Sequence, residues 1–192
     1  MTTPLYPTFI KRIDDATEEL IQKQVTPWFF LTSGRPFRVK KFDGHEIAYE
    51  GIGFEGSPSN VFWSRYIEPF LEALAIQEIT TATSLARERG VDARLLLPEV
   101  QGLLNAACRK VFAEMAEVDR RLRGKGFPEN VDVRSIDIEV MRLSEFIEEH
   151  TASELAMWRP KSKAEEWYEK NKFWVWLIGI LVAISGLSAE FF

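Results

Sequence analysis

The chain has 192 residues, 46% hydrophobic and 28% charged, with a net charge of −5, so it has the composition of a folded globular chain and not of a disordered one. An acidic balance spread over both signs excludes a general electrostatic pull toward nucleic acid. A single cysteine, Cys108, excludes an internal disulfide and suits a reducing compartment.

Residues 1–7 read as a flexible N-terminus, and the charged stretch that follows lacks the apolar run of a cleaved signal peptide. Phe9, Ile13, Leu20 and Ile21 form a helical stripe that predicts a helix over 8–25, stopping or bending near Pro27. Trp28, Phe29, Phe30 and Leu31 make an apolar knot suited to plugging a core. Phe37, Val39, Ile47 and Tyr49 alternate on either side of Asp43-Gly44, a strong hairpin signal, and predict strands at 36–42 and 45–50. Residues 51–58 read as a Gly-rich loop.

Val61, Phe62, Tyr66, Ile67, Phe70, Leu71 and Leu74 recur at helical spacing. They predict a second helix, kinked at Pro69 and stopped by Gly90. Pro98 suits a first helical turn, and Val100, Leu104, Ala107, Val111, Met115, Val118 and Leu122 carry a helical period from there to Gly124. A fourth helix is expected over 133–158, although Ile136, Ile138 and Val140 also alternate as a short strand would. Arg159-Pro160 closes the domain, because a residue before proline avoids the helical region.

Residues 159–172 then read as a juxtamembrane segment and 173–189 as a transmembrane helix. Phe173 to Ala189 is an uncharged run of seventeen residues, roughly 26 Å long as a helix against about 30 Å of hydrocarbon. Its nine Leu, Ile, Val and Phe residues favour insertion by roughly 4 kcal/mol. Arg159, Lys161, Lys163, Lys170 and Lys172 precede it and no basic residue follows, so the positive-inside rule places the N-terminal body in the cytoplasm. Trp167, Tyr168, Trp174 and Trp176 supply rings suited to headgroup level. Gly179, Ala183 and Gly186 share one helical face on which another membrane helix could pack. The fold class expected is therefore mainly α: a cytoplasmic domain at 8–158 of about four helices with a hairpin at 36–50, then a single membrane helix.

Gly51, Gly53 and Gly56 spell G-x-G-x-x-G after an expected strand, with Ser57 beside them, which makes this loop a candidate ligand site. The second strand and its acidic residue, which a dinucleotide fold requires, are missing. Arg38 and Lys40 point to one side of a strand and, with Lys170 and Lys172, are candidates for meeting anionic lipid. Arg120, Arg121, Arg123 and Lys125 are explained by a helix C-terminus, where cations oppose the dipole. His45 and His150 are the only histidines, and neither stands at a metal-ligand or triad spacing. Cys108 reads as a small buried hydrophobe.

No catalytic set, metal site or cofactor site is expected. The functional expectation is a non-enzymatic, single-pass, tail-anchored protein acting through protein contacts or self-assembly at a membrane. Its expected partners are membrane lipid and a protein or a second copy, without nucleic acid. The competing expectation is a nucleotide- or small-ligand-binding sensor or enzyme that uses residues 51–58.

Overall fold

A computed structural model describes residues 2–32, 37–40, 46–49, 63–64, 66–124 and 135–189. The chain divides into two units, Met1–Trp158 and Arg159–Phe192. Helix α1 (Tyr6–Leu20) buries Phe9, Ile13, Thr17 and Leu20, which its period places on one face. Thr17 sits on that face without cost because its hydroxyl donates to the Ile13 carbonyl at 2.6 Å.

The chain does not stop before Pro27. It widens into one π turn, Ile21–Val25, in which the Thr26 N–H reaches back five residues to the Ile21 carbonyl, and then resumes as α2 (Thr26–Thr32). Pro27 lies in the first turn of α2, where its missing N–H breaks no bond of that helix. The π turn keeps Ile21 and Val25 buried and delivers Trp28 to the core with no exposed surface.

Strands β1 (Phe37–Lys40) and β2 (Glu46–Tyr49) pair antiparallel, with Arg38 opposite Ala48 and Lys40 opposite Glu46. Strand structure among the described residues is confined to these two four-residue segments, narrower than the ranges 36–42 and 45–50, and the fold is overwhelmingly helical.

Helix α3 (Glu68–Arg89) begins with Pro69 in its first turn, where the missing N–H breaks no bond of that helix. It ends at Gly90, whose φ of +67° is the left-handed cap conformation that glycine adopts without strain. Helix α4 spans Ala93–Gly124 and starts five residues ahead of the expected Pro98. Asp92 explains the early start: its backbone carbonyl accepts from the Leu95 and Leu96 N–H groups, and its carboxylate accepts the Arg94 N–H at 2.9 Å. Helix α5 (Ile136–Met157) buries Val140, Leu143, Ile147 and Thr151, so helix wins over the alternating strand pattern at its start.

Helix α4 is the centre of the first unit, with α1, α3 and α5 packed against it. Its Leu96, Leu97, Val100, Val111 and Val118 are fully buried. Trp28 and Trp63 meet edge to face with ring centroids 5.5 Å apart, and the Trp63 indole N–H points at the buried Asp119 carboxylate, 3.4 Å away. The N-terminal residues join the same unit, since Thr3 is buried and its N–H donates to Glu99 Oε1 of α4 at 2.9 Å.

The second unit holds α6 (Lys163–Ala189). Here the expected fold class needs correction: among the described residues no helix is long and apolar enough to cross a membrane. Lys163, Glu165, Glu166, Glu169, Lys170 and Lys172 occupy the first ten positions of α6, and its described side chains end at Ile180. The uncharged stretch that follows Lys172, Phe173 to Ala189, is seventeen residues, roughly 26 Å of helix against about 30 Å of hydrocarbon, short of a full span. The expected transmembrane helix at 173–189 is overturned, and with it the single-pass, tail-anchored topology and the membrane localisation.

Candidate interaction surface

A Ser162-x-x-Glu165 capping box opens α6: the Ser162 N–H donates to Glu165 Oε2 at 2.8 Å and the Glu165 N–H to the Ser162 hydroxyl at 3.2 Å. Lys161 closes onto Glu169 at 2.7 Å, and the Asn171 side-chain amide donates to the Trp167 carbonyl at 2.7 Å. These contacts secure the polar half of the helix. Beyond it the surface turns aromatic while staying in solvent, with Trp167 61%, Phe173 65%, Trp174 60% and Trp176 62% exposed. Phe173 touches both neighbours, Trp174 at 5.8 Å between ring centroids and Trp176 at 6.5 Å. A cleft of about 550 Å³ runs along this helix, lined by Tyr168, Glu169, Lys170, Lys172, Phe173, Val175 and Trp176. Rings of this size left exposed make α6 the candidate contact element among the described residues.

Other chemistry-bearing groups among the described residues are engaged in packing and ion pairs. Burial pushes the Cys108 thiol up to about 12, so it carries no thiolate at neutral pH. His150 is half-buried and its ring stacks on Phe146 with centroids 6.1 Å apart. Arg121 lies over the Phe29 ring at 4.6 Å and bonds Glu117 at 2.8 Å, and Arg120 pairs with the same carboxylate. These two arginines hold the Glu117 carboxyl below its ordinary value, Arg121 foremost. A second cleft, about 330 Å³, lies between α1 and α3 beside the Arg12–Glu78 ion pair. Among the described residues no three His, Cys, Asp or Glu side chains are grouped to hold a metal ion.

Several sequence candidates fall elsewhere. Gly51, Gly53, Gly56, Ser57 and His45 lie outside the described residues. Arg38 and Lys40 are placed by backbone alone, two residues apart on β1. Lys170 and Lys172 line the cleft of α6. Gly179, Ala183 and Gly186 fall within α6, and their surroundings lie outside the described residues. Sequence reading singled out Trp167, Tyr168, Trp174 and Trp176 of α6 and assigned them to a lipid headgroup layer. The chain matches no protein-family model, and comparison with curated proteins and with solved structures likewise finds no match.

Proposed function

We propose that the protein acts by association with other protein chains, with α6 as the contact element and the helical unit Met1–Trp158 as the body it presents. The observation that carries this reading is the solvent exposure of Trp167, Phe173, Trp174 and Trp176 on one helix. With Tyr168 they leave roughly 600 Å² of ring surface in water, at about 200 Å² per aromatic side chain. Covering half of it on each of two such helices removes roughly 600 Å² in total, about 15 kcal/mol gross at 25 cal/mol per Å². That sum meets or exceeds the estimated 4 to 15 kcal/mol that association costs in lost freedom. Trp and Tyr are also the side chains that dominate binding energy at protein interfaces.

Lysine-directed crosslinking of the full chain in the cells that make it, read by mass spectrometry, tests this reading. Lys170 and Lys172 flank the aromatic run and should crosslink to another protein chain, a second copy included. The same crosslinks should fall at least tenfold in the Trp174→Glu/Trp176→Glu variant. Crosslinks confined to one chain, or intermolecular crosslinks indifferent to the variant, would overturn the proposal.

A further inference from the structure

Helix α1 packs on α4, as α3 does, and the two touch each other only sparsely, so the cleft of about 330 Å³ opens between them. Ala16 of α1 and Ala73 of α3 keep it open, since each puts a methyl group where a longer side chain would fill the space, and Phe70 and Leu74 wall it. A volume of that order lies at the small end of the range for ligand pockets, about 300 to 1,000 Å³. The polar groups lining it are Arg12, Gln77 and Glu78.

Glu78, with a side chain 3% exposed, takes the Arg12 Nε hydrogen at 2.7 Å and one Nη2 hydrogen at 2.8 Å. A guanidinium carries five N–H donors. The end of the fork, both hydrogens of Nη1 and the second of Nη2, therefore has no acceptor among the described residues, and the exposed Gln77 amide has no partner there either. Well-packed apolar side chains often join two helices as well as a buried ion pair does, or better. What this pair adds is a guanidinium held in one orientation at the edge of a cleft, with a second fork to offer.

The pair also sets the charge of a fitting occupant. Arg12 and Glu78 sum to zero, so an anion on the fork would meet the Glu78 carboxylate behind it and would lose its own hydration for little return. A neutral carbonyl accepts from the same fork with less dehydration, and an N–H beside that carbonyl matches the Gln77 amide oxygen. We propose that the cleft between α1 and α3 binds a small neutral carboxamide: Arg12 donates to its carbonyl, Gln77 accepts its N–H, and its apolar part lies against Phe70 and Leu74. Glu78 is a positioning residue that acts through Arg12. This site belongs to Met1–Trp158 and stands or falls apart from association through α6.

Titration of the full chain with para-fluorobenzamide and para-fluorobenzoate, followed by fluorine NMR, tests place and class together, because the two probes share a shape and differ in charge. The amide should bind with a Kd on the order of 1 mM, within reach of a ligand of about ten non-hydrogen atoms, and the benzoate at least tenfold more weakly. Ala73→Leu, which fills the cleft, should weaken amide binding at least tenfold. Gln77→Leu, at an exposed position, should weaken it at least threefold with an unchanged thermal midpoint. Arg12→Lys, which keeps the charge and loses the fork, should weaken it at least fivefold. Glu78→Gln should move the preference toward benzoate at least fivefold, a change of selectivity that a merely structural role of Glu78 would not produce. Absence of amide binding, or binding indifferent to both Ala73→Leu and Gln77→Leu, overturns the site. Benzoate bound as tightly as the amide overturns the neutral class, and an unchanged preference in Glu78→Gln overturns the positioning role.

Discussion

Arg12 donates through Nε to one oxygen of Glu78 at 2.7 Å and through Nη2 to the other at 2.8 Å, a bidentate pair joining α1 to α3. The hydrogen bond to Glu78 raises the Arg12 pKa, with the pair's attraction adding to it against desolvation. The two partners are unequally placed, since the Glu78 side chain is 3% exposed and that of Arg12 is 39%. The carboxylate thus depends on the guanidinium, while the guanidinium retains water. Arg12→Met should cost about 3 kcal/mol, because it strands a buried charge. Glu78→Met should cost less, since the arginine left behind can still be hydrated. The double variant, which replaces the pair by apolar side chains of similar length, should recover to within about 1 kcal/mol of wild type. Urea denaturation of the four proteins checks this cycle, and simple additivity of the two single changes would show that the pair is not coupled.

At the scale of elements, two glycines predict opposite outcomes for the same substitution. Gly90 ends α3 at φ +67°, and an added Cβ there would meet no atom within 4 Å, so the cost of Gly90→Ala is backbone strain alone, about 1 to 2 kcal/mol. Gly102 is exposed inside α4 with equally open space around it, so Gly102→Ala should stabilise by about 1 kcal/mol. Midpoints of chemical denaturation for both variants decide the matter, and a shift of the same sign in both would contradict it. The glycine at the end of α3 was legible from sequence because a stop after a periodic run has one dominant cause. The prolines were harder to read. Pro27, Pro69 and Pro98 were each assigned a bend, a kink or a start, yet Pro27 and Pro69 sit in first turns and Pro98 lies inside α4. What a proline does depends on where the helix begins, and that is decided by neighbours such as Asp92 and by the π turn at Ile21–Val25, neither of which announces itself in a hydrophobic pattern.

For the whole molecule, the core stripes of α1, α3, α4 and α5 could be read from period alone, since Ile13, Leu71, Val111 and Leu143 are all buried where their spacing puts them. The candidate site was half legible. An uncharged run with tryptophans was visible, but apolar residues on a helix say only that something covers them, and lipid and protein favour the same residue types. The division after Trp158 leads to the last prediction. All buried hydrophobic side chains named for the core, from Phe9 to Ile147, lie in Met1–Trp158, and α6 contributes none of them. If the core alone stabilises the body, a fragment of residues 1–158 should unfold cooperatively, with a thermal midpoint within about 4 °C of the full chain, which corresponds to less than about 1 kcal/mol for a domain of this size. If α6 alone carries association, the same fragment should sediment as a monomer at concentrations where the full chain does not. Circular dichroism and sedimentation on one preparation measure both quantities, and they fail separately: a fragment that melts early shows that residues beyond Trp158 support the fold, and a fragment that still assembles moves the contact surface into the helical body.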